Sequence, residues 1–214
     1  MEFLDEELSQ YAEAHTYHED ELLQDLNRET NEKILKPRML SGHMQGRVLS
    51  TFSHMIRPRR ILEVGTYTGY SALCLAEGLT DEGRLYTIDI NEELEEMVRR
   101  YFAKAGINDK VDFRIGDALE IIPTLEEQWD LVFIDADKVN YANYFDLAID
   151  NVRTGGYIIA DNVLWSGKVL EKNRKKLDED TEAIMDFNDK VHRDVRVENV
   201  LFPVRDGLMV MRKR

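Results

Sequence analysis

Apolar positions recur along this chain in two rhythms, short solid runs and stripes at helical spacing. The run Ile61-Leu62-Glu63-Val64 breaks at Gly65, and the apolar pattern resumes after Gly69 with helical spacing. That predicts a buried strand, a tight turn and the start of a helix. Residues 84–89 predict a second strand, ending in Asp89, and residues 92–105 a helix that stops before Gly106. Residues 111–115 predict a strand that ends in Gly116-Asp117-Ala118. The run 129–134 reads as a buried strand entering the polar turn Asp135-Ala136-Asp137-Lys138, and residues 155–162 repeat that design into Asp161-Asn162. A polar, irregular stretch over 163–176 precedes a helix over 180–192. Residues 195–204 and 208–212 then predict a closing hairpin around Arg205-Asp206-Gly207.

Upstream, residues 2–35 predict two amphipathic helices. Phe3, Leu4, Leu8, Tyr11 and Ala12 form one stripe; Leu22, Leu23, Leu26 and Ile34 form the other, with a helix start at 18–21. Pro37 and Gly42 punctuate a loop, and Val48, Leu49, Phe52, Met55 and Ile56 mark a further helix. Alternating strands and helices predict an α/β fold with one doubly wound, Rossmann-like sheet, mostly parallel but with an antiparallel C-terminal hairpin. The expected organisation is a single domain over 1–214, with N-terminal helices and a covering loop in 1–57 and the α/β core in 58–214. No internal repeat or low-complexity tract is visible.

Composition narrows the function. The chain has 214 residues, enough for one full core. Its formal charge of −14 argues against general nucleic-acid binding. An N-terminal cluster from Glu2 to Glu21 supplies much of that charge and reads as a solvated face. The single cysteine, Cys74, rules out an internal disulfide and fits a reducing cytoplasm. Met1 is followed by acids rather than by a secretory leader, and no apolar stretch is long enough to span a bilayer.

Two places carry candidate chemistry. The turn at Gly65 presents backbone N–H groups to a ligand, and an acid at the distance of Asp89 usually accepts hydrogen bonds from a ribose. Gly65 permits a positive φ or close backbone approach, and Gly69 is expected to let the helix pack on the strand. Further along, two parallel strands end in Asp135 and in Asp161-Asn162, and ligands of open α/β sheets bind at such carboxyl ends. Converging carboxylates repel unless a cation joins them. An oxygen-only set selects a hard ion, Mg²⁺ first, then Mn²⁺ or Ca²⁺, and not Zn²⁺. The rival reading makes these acids turn formers, and Asp117 equally reads as a helix N-cap. The histidines are scattered; His43 alone is placed to face the site.

The string Glu63-Val-Gly-Thr-Tyr-Thr-Gly-Tyr-Ser71 resembles motif I of the S-adenosylmethionine-dependent O-methyltransferases of the caffeoyl-CoA and catechol type. Its G-x-x-x-G spacing departs from the G-x-G-x-x-G of dinucleotide sites. Ile134-Asp135-x-x-Lys138, followed by Asp161-Asn162, resembles the metal and base motif of the cation-dependent family. The N-terminal string from Tyr11 to Thr30 resembles the helices of the caffeoyl-CoA type, so the likeness covers nearly the whole chain. The resemblance implies donor contacts from Met39, Ser41, Glu63, Gly65, Thr66, Tyr67, Ser71, Asp89, Asp117, Ala118 and Asp135. Met39 would sit near the sulfonium, Ser41 would offer a hydrogen bond, and Asp117 or Ala118 would meet the adenine. Asp135, Asp161 and Asn162 would hold the ion, Lys138 would take the substrate proton with Asp135 beside it, and Trp165 would stack on a phenolic acceptor. The basic run Lys168, Lys172, Arg174, Lys175 and Lys176 would meet an acidic tail, and the N-terminal helices would join a homodimer.

The implied reaction moves a methyl group from S-adenosylmethionine to a hydroxyl of a catechol-like molecule. One alternative is a tRNA hydroxyuridine O-methyltransferase that grips phosphates with Arg57-Pro-Arg-Arg60 and Lys168–Lys176. Another is a nicotinamide-dependent oxidoreductase, which leaves Asp135, Asp161 and Asn162 unexplained. A non-catalytic binding module is the fourth reading.

Overall fold

The computed structural model describes residues 5–170 and 178–214. Helix α1 (Glu6–Ala14) starts where the Asp5 carboxylate accepts from Glu7 N at 2.9 Å, and α2 (Glu21–Lys33) where Asp20 accepts from Leu23 N at 2.8 Å. A 3₁₀ turn at Pro37–Met39 leads to α3 (Gly42–Ile56), which Arg57 ends in the left-handed region ahead of Pro58.

Strands and helices then alternate: β1 (Arg60–Val64), α4 (Tyr70–Ala76), β2 (Arg84–Asp89), α5 (Glu95–Lys104), β3 (Val111–Ile115), α6 (Ala118–Ile121), β4 (Trp129–Ile134), α7 (Tyr141–Ile149) and β5 (Val152–Ala160). Helix α8 (Glu179–Arg193), capped by Asp178, and the strands β6 (Val197–Phe202) and β7 (Leu208–Lys213) close the chain. The sheet order is β3-β2-β1-β4-β5-β7-β6. The first five strands in that row pair in parallel; β7 runs antiparallel to both β5 and β6. This is the mostly parallel sheet with a C-terminal hairpin that the pattern predicts.

Side-chain alternation splits the core in two. Leu62, Val64, Val132, Ile134 and Ile158 pack with Tyr141, Phe145 and Phe187 on one face; Ile61, Leu131, Phe133 and Ile159 pack with Leu26, Leu49 and Leu73 on the other. Both faces are covered, so the strands are continuously apolar. Each fully buried large side chain of this kind contributes about 1.5–3 kcal/mol.

Three expectations are corrected. The helix placed over 92–105 opens as a 3₁₀ turn at Glu92–Leu94, because Asn91 Oδ1 caps Glu93 N at 3.0 Å, and only then becomes α5. Strand β5 begins at Val152, before Gly155-Gly156, so the glycines lie within the strand; Gly155 has φ +77° beside a register shift against β4. Gly69 has φ +90° and faces Phe102 of α5, not the strand. Helix α1 buries none of its residues: Leu8 is 59% and Tyr11 64% exposed. That stripe does not enter the core, and Phe3 and Leu4 lie outside the described residues.

Candidate functional site

The sheet reverses direction between β1, which leads outward to β2, and β4, which leads outward to β5. A crevice opens at the carboxyl ends of strands at such a point. Register brings the expected residues to one level there. Val64 pairs with Ile134 and Ile134 with Ala160, so Gly65, Asp135 and Asp161 each follow directly. Asp135 N donates to Val64 O at 2.8 Å and Asp161 N to Ile134 O at 3.0 Å.

The acceptor side centres on Lys138. It is 7% exposed, and its Nζ donates to Asp135 Oδ1 at 3.2 Å and to Tyr141 Oη at 2.5 Å. Tyr141 Oη in turn donates to Asp161 O at 3.0 Å. Burial, then the carboxylates of Asp135 and Asp161, hold the Tyr141 phenol well above its usual range. Asp161 is 3% exposed. Burial and then the Asp135 carboxylate push its carboxyl up, while Gln45 and Lys138 pull it down. Gln45 Nε2 donates to Asp161 Oδ2 at 2.7 Å, and Asn162 N donates to Oδ1 at 2.7 Å. Asp137 instead accepts from the side chains of Tyr144 (Oη) and Asn140 (Nδ2), and among the described residues its carboxylate caps no backbone N–H.

Among the described residues no three histidine, cysteine or carboxylate side chains form an ion-holding group. The trio at the crevice offers two carboxylates and the Asn162 amide. Its chemistry suits a hard divalent ion: all donors are oxygens, and the buried Asp161 and half-buried Asp135 carboxylates share a single ammonium.

The segment after Asp161 is strained. Asn162, Trp165 and Ser166 all have positive φ, at 58°, 46° and 52°. The β6–β7 turn holds it in place: Ser166 N donates to Asp206 Oδ1 at 2.6 Å, Leu164 N to Asp206 O at 2.9 Å and Val163 N to Gly207 O at 3.2 Å. Trp165 is half-buried, with Lys138 and Lys168 over its ring and its indole Nε1 without a hydrogen-bond partner among the described residues. Lys168 also pairs with Asp178 at 2.6 Å; Lys172, Arg174, Lys175 and Lys176 lie outside the described residues.

On the donor side, Gly65 has φ +99° and Tyr67 φ 50°. Asp89 accepts Tyr67 N at 2.6 Å and Asn91 N at 2.8 Å, which joins the two strand ends. Burial raises its carboxyl against those bonds. Ser71 Oγ donates to Glu63 Oε1 at 2.6 Å, Thr87 Oγ1 to Glu63 Oε2 at 2.5 Å, and Thr66 Oγ1 meets Thr87 Oγ1 at 2.5 Å. Full burial pushes Glu63 up to about 8. Tyr67 Oη donates to Lys36 O at 2.9 Å, and Arg205 Nη1 to Leu40 O at 3.3 Å, so the loop carrying Met39 is tied at both ends. Met39 is 53% exposed; Ser41 is buried at the start of α3 with no capping bond. Asp117 caps α6 through Leu119 N at 2.8 Å, and Ala118 is buried next to it.

Two placements differ from expectation. His43 does not face the crevice; its Nε2 lies 2.7 Å from Tyr17 O. Arg57 and Arg60 lie at the amino end of β1, the opposite edge of the sheet, and Arg60 pairs with Glu127 at 2.9 Å. Sequence reasoning missed Tyr141 and Gln45. Tyr141, three residues after Lys138, carried a weak signal. Gln45 interrupts the apolar stripe one turn before Leu49, where a core residue is expected.

Residues 12–214 match the O-methyltransferase family. A caffeoyl-CoA O-methyltransferase of Mesembryanthemum crystallinum is 37% identical over 185 residues, covering 82% of this chain and 73% of its own. An SAH-bound methyltransferase of Podospora anserina superposes with a TM-score of 0.89 at 28% identity, covering 99% of this chain and 97% of its own. An O-methyltransferase of Bacillus cereus in complex with SAH has a TM-score of 0.88 at 29% identity and 97% coverage of both chains.

Proposed function

Because the chain belongs to the O-methyltransferase family, we propose that it moves a methyl group from S-adenosylmethionine to a hydroxyl of a catechol-like small molecule, with a divalent ion at Asp135, Asp161 and Asn162. The observation that carries this reading is the meeting of Asp135, Lys138 and Asp161 beside Gly65 at the switch point. Donor use is supported by the Gly65 turn, by Asp89 beneath it and by the SAH complexes of the Podospora and Bacillus proteins. The family membership removes the oxidoreductase alternative.

A divalent ion at these oxygens would draw in both hydroxyls of the acceptor and make them more acidic. Asp135 and Asp161 supply the negative charge for it, and Asn162 a neutral oxygen. In its neutral amine form Lys138 Nζ would take the hydroxyl proton and become the ammonium, and Tyr141 Oη steadies that nitrogen. The ionised acceptor oxygen forms a bond to the methyl carbon while the carbon–sulfur bond breaks, and S-adenosylhomocysteine leaves. Trp165 offers its ring to a flat aromatic acceptor. Held geometry supplies much of the acceleration, since the chain contributes no covalent step.

A tRNA acceptor is the alternative, and the position of Arg57–Arg60 at the far edge of the sheet weighs against it. The lone buried thiol supports a cytoplasmic setting. The uncovered apolar face of α1 supports a homodimer, which light scattering would reveal. No described helix is long and apolar enough to cross a membrane. The deciding experiment is a methyl-transfer screen over catechol, caffeoyl-CoA, a flavonoid and undermodified tRNA, with and without chelator. Chelator-sensitive methylation of a catechol is expected. Full activity after chelation overturns the ion, and methylation of tRNA alone overturns the acceptor.

A further inference from the structure

Gln45 is a polar side chain where the α3 stripe calls for an apolar one, and it is 1% exposed. Burying an amide is costly unless it is hydrogen-bonded. Gln45 meets that cost by crossing 116 positions of sequence to donate to Asp161 Oδ2 at 2.7 Å. Asp161 Oδ1 is already taken by Asn162 N at 2.7 Å. The main chain of Asp161 is fixed at both polar atoms, N to Ile134 O at 3.0 Å and O from Tyr141 Oη at 3.0 Å. The rotation of the carboxylate is therefore set by the Asn162 main chain at Oδ1 and by one side chain from another element, Gln45, at Oδ2.

That side chain is itself held firmly. A Cβ on the next residue, Gly46, would lie 2.6 Å from Tyr70 Cε1 and 2.9 Å from Cys74 Sγ, so α3 rests directly on α4. The Gln45 N–H thus points at Asp161 from a rigid base. An amide donor leaves one lone pair of each carboxylate oxygen free and adds no charge to a site already holding two carboxylates.

We propose that Gln45 is a positioning residue for the ion site: its amide N–H aims the Asp161 carboxylate so that its free lone pairs meet a divalent cation. This rests on the ion reading of Asp135, Asp161 and Asn162 given above. Partners of this kind orient ion-binding carboxylates, and their loss typically weakens ion binding by roughly 10–100-fold.

The test uses the full chain and two substitutions. Gln45→Met keeps length without the donor; Gln45→Asn keeps the donor but falls short by one methylene. Mn²⁺ affinity is measured by calorimetry and by the electron-resonance signal of free Mn²⁺. Affinity for S-adenosylhomocysteine is measured without metal and reports an intact fold. The expected result is Mn²⁺ binding about 10–100-fold weaker in both variants, S-adenosylhomocysteine binding unchanged, and turnover recovered by excess Mn²⁺. Unchanged Mn²⁺ affinity overturns the proposal. So does a parallel loss of both ligands, which makes Gln45 a packing residue. Wild-type protein that binds no Mn²⁺ overturns the ion reading itself and Gln45 with it, which separates the two failures.

Discussion

A Cβ placed on Gly65 would lie 2.0 Å from the carbonyl oxygen of Asp135. Two backbones from neighbouring strands therefore touch at the floor of the crevice, at a residue whose φ is +99°. Gly65→Ala meets both a clash with main chain and an unfavourable φ. Overpacking of this kind costs about 1–3 kcal/mol, and the positive φ adds to it. We expect a lower urea midpoint and a large loss of S-adenosylhomocysteine affinity, because Asp135 and the Tyr67 turn are displaced together. Normal affinity by calorimetry would show that the floor can yield.

Asp89 accepts hydrogen bonds from Tyr67 N and Asn91 N. Asp89→Ala would remove the charge-assisted bonds proposed to the donor ribose and loosen the turn above it. Donor affinity should fall by about 1.5–3 kcal/mol, with no gain of NAD affinity. Calorimetry with both ligands checks this; tight NAD binding by the variant would contradict the donor assignment.

Lys138 is fastened between Asp135 and Tyr141. Lys138→Met preserves apolar bulk and removes the proposed proton acceptor. Single-turnover methylation of a catechol should slow by roughly 10²–10⁴-fold, with donor binding retained. Raising the pH should recover part of the rate, and a more acidic catechol should suffer less. An unchanged rate leaves Lys138 only an orienting role.

Glu63 is fully buried, and burial lifts its carboxyl to about 8. An unfolded glutamate titrates near about 4.3. Between those values the folded chain keeps a proton that the unfolded chain has released. The stabilisation tied to this proton is whole below the lower value and is lost as pH rises through the higher one. Glu63→Gln carries no such proton. Urea unfolding of both proteins at about pH 5 and about pH 8 should show the variant gaining on wild type at the higher pH. An equal difference at both pH values would mean that Glu63 is already ionised in the fold.

The order of strands and helices, the turn glycines and the acids at the ends of β2, β4 and β5 were all legible in the sequence. They are local signals: side-chain period, chain breakers, and residues that follow an apolar run. Asp135 and Asp161 could be placed on one edge of a sheet for the same reason, since parallel strands present their carboxyl ends together. Direction across the crevice was not legible. His43 turns toward Tyr17 and not toward the site, Arg60 sits at the wrong edge, and the α1 stripe stays outside the core. Gln45 meets Asp161, Tyr141 bridges Lys138 and Asp161, and Asp206 holds the strained turn at Ser166. Most of these contacts join residues far apart in the chain, and even the local Lys138–Tyr141 contact depends on where the polypeptide leaves the sheet. A side chain's neighbours are set by how helices pack onto the finished sheet, and no period or motif along the chain encodes that packing; only the tertiary structure decided it.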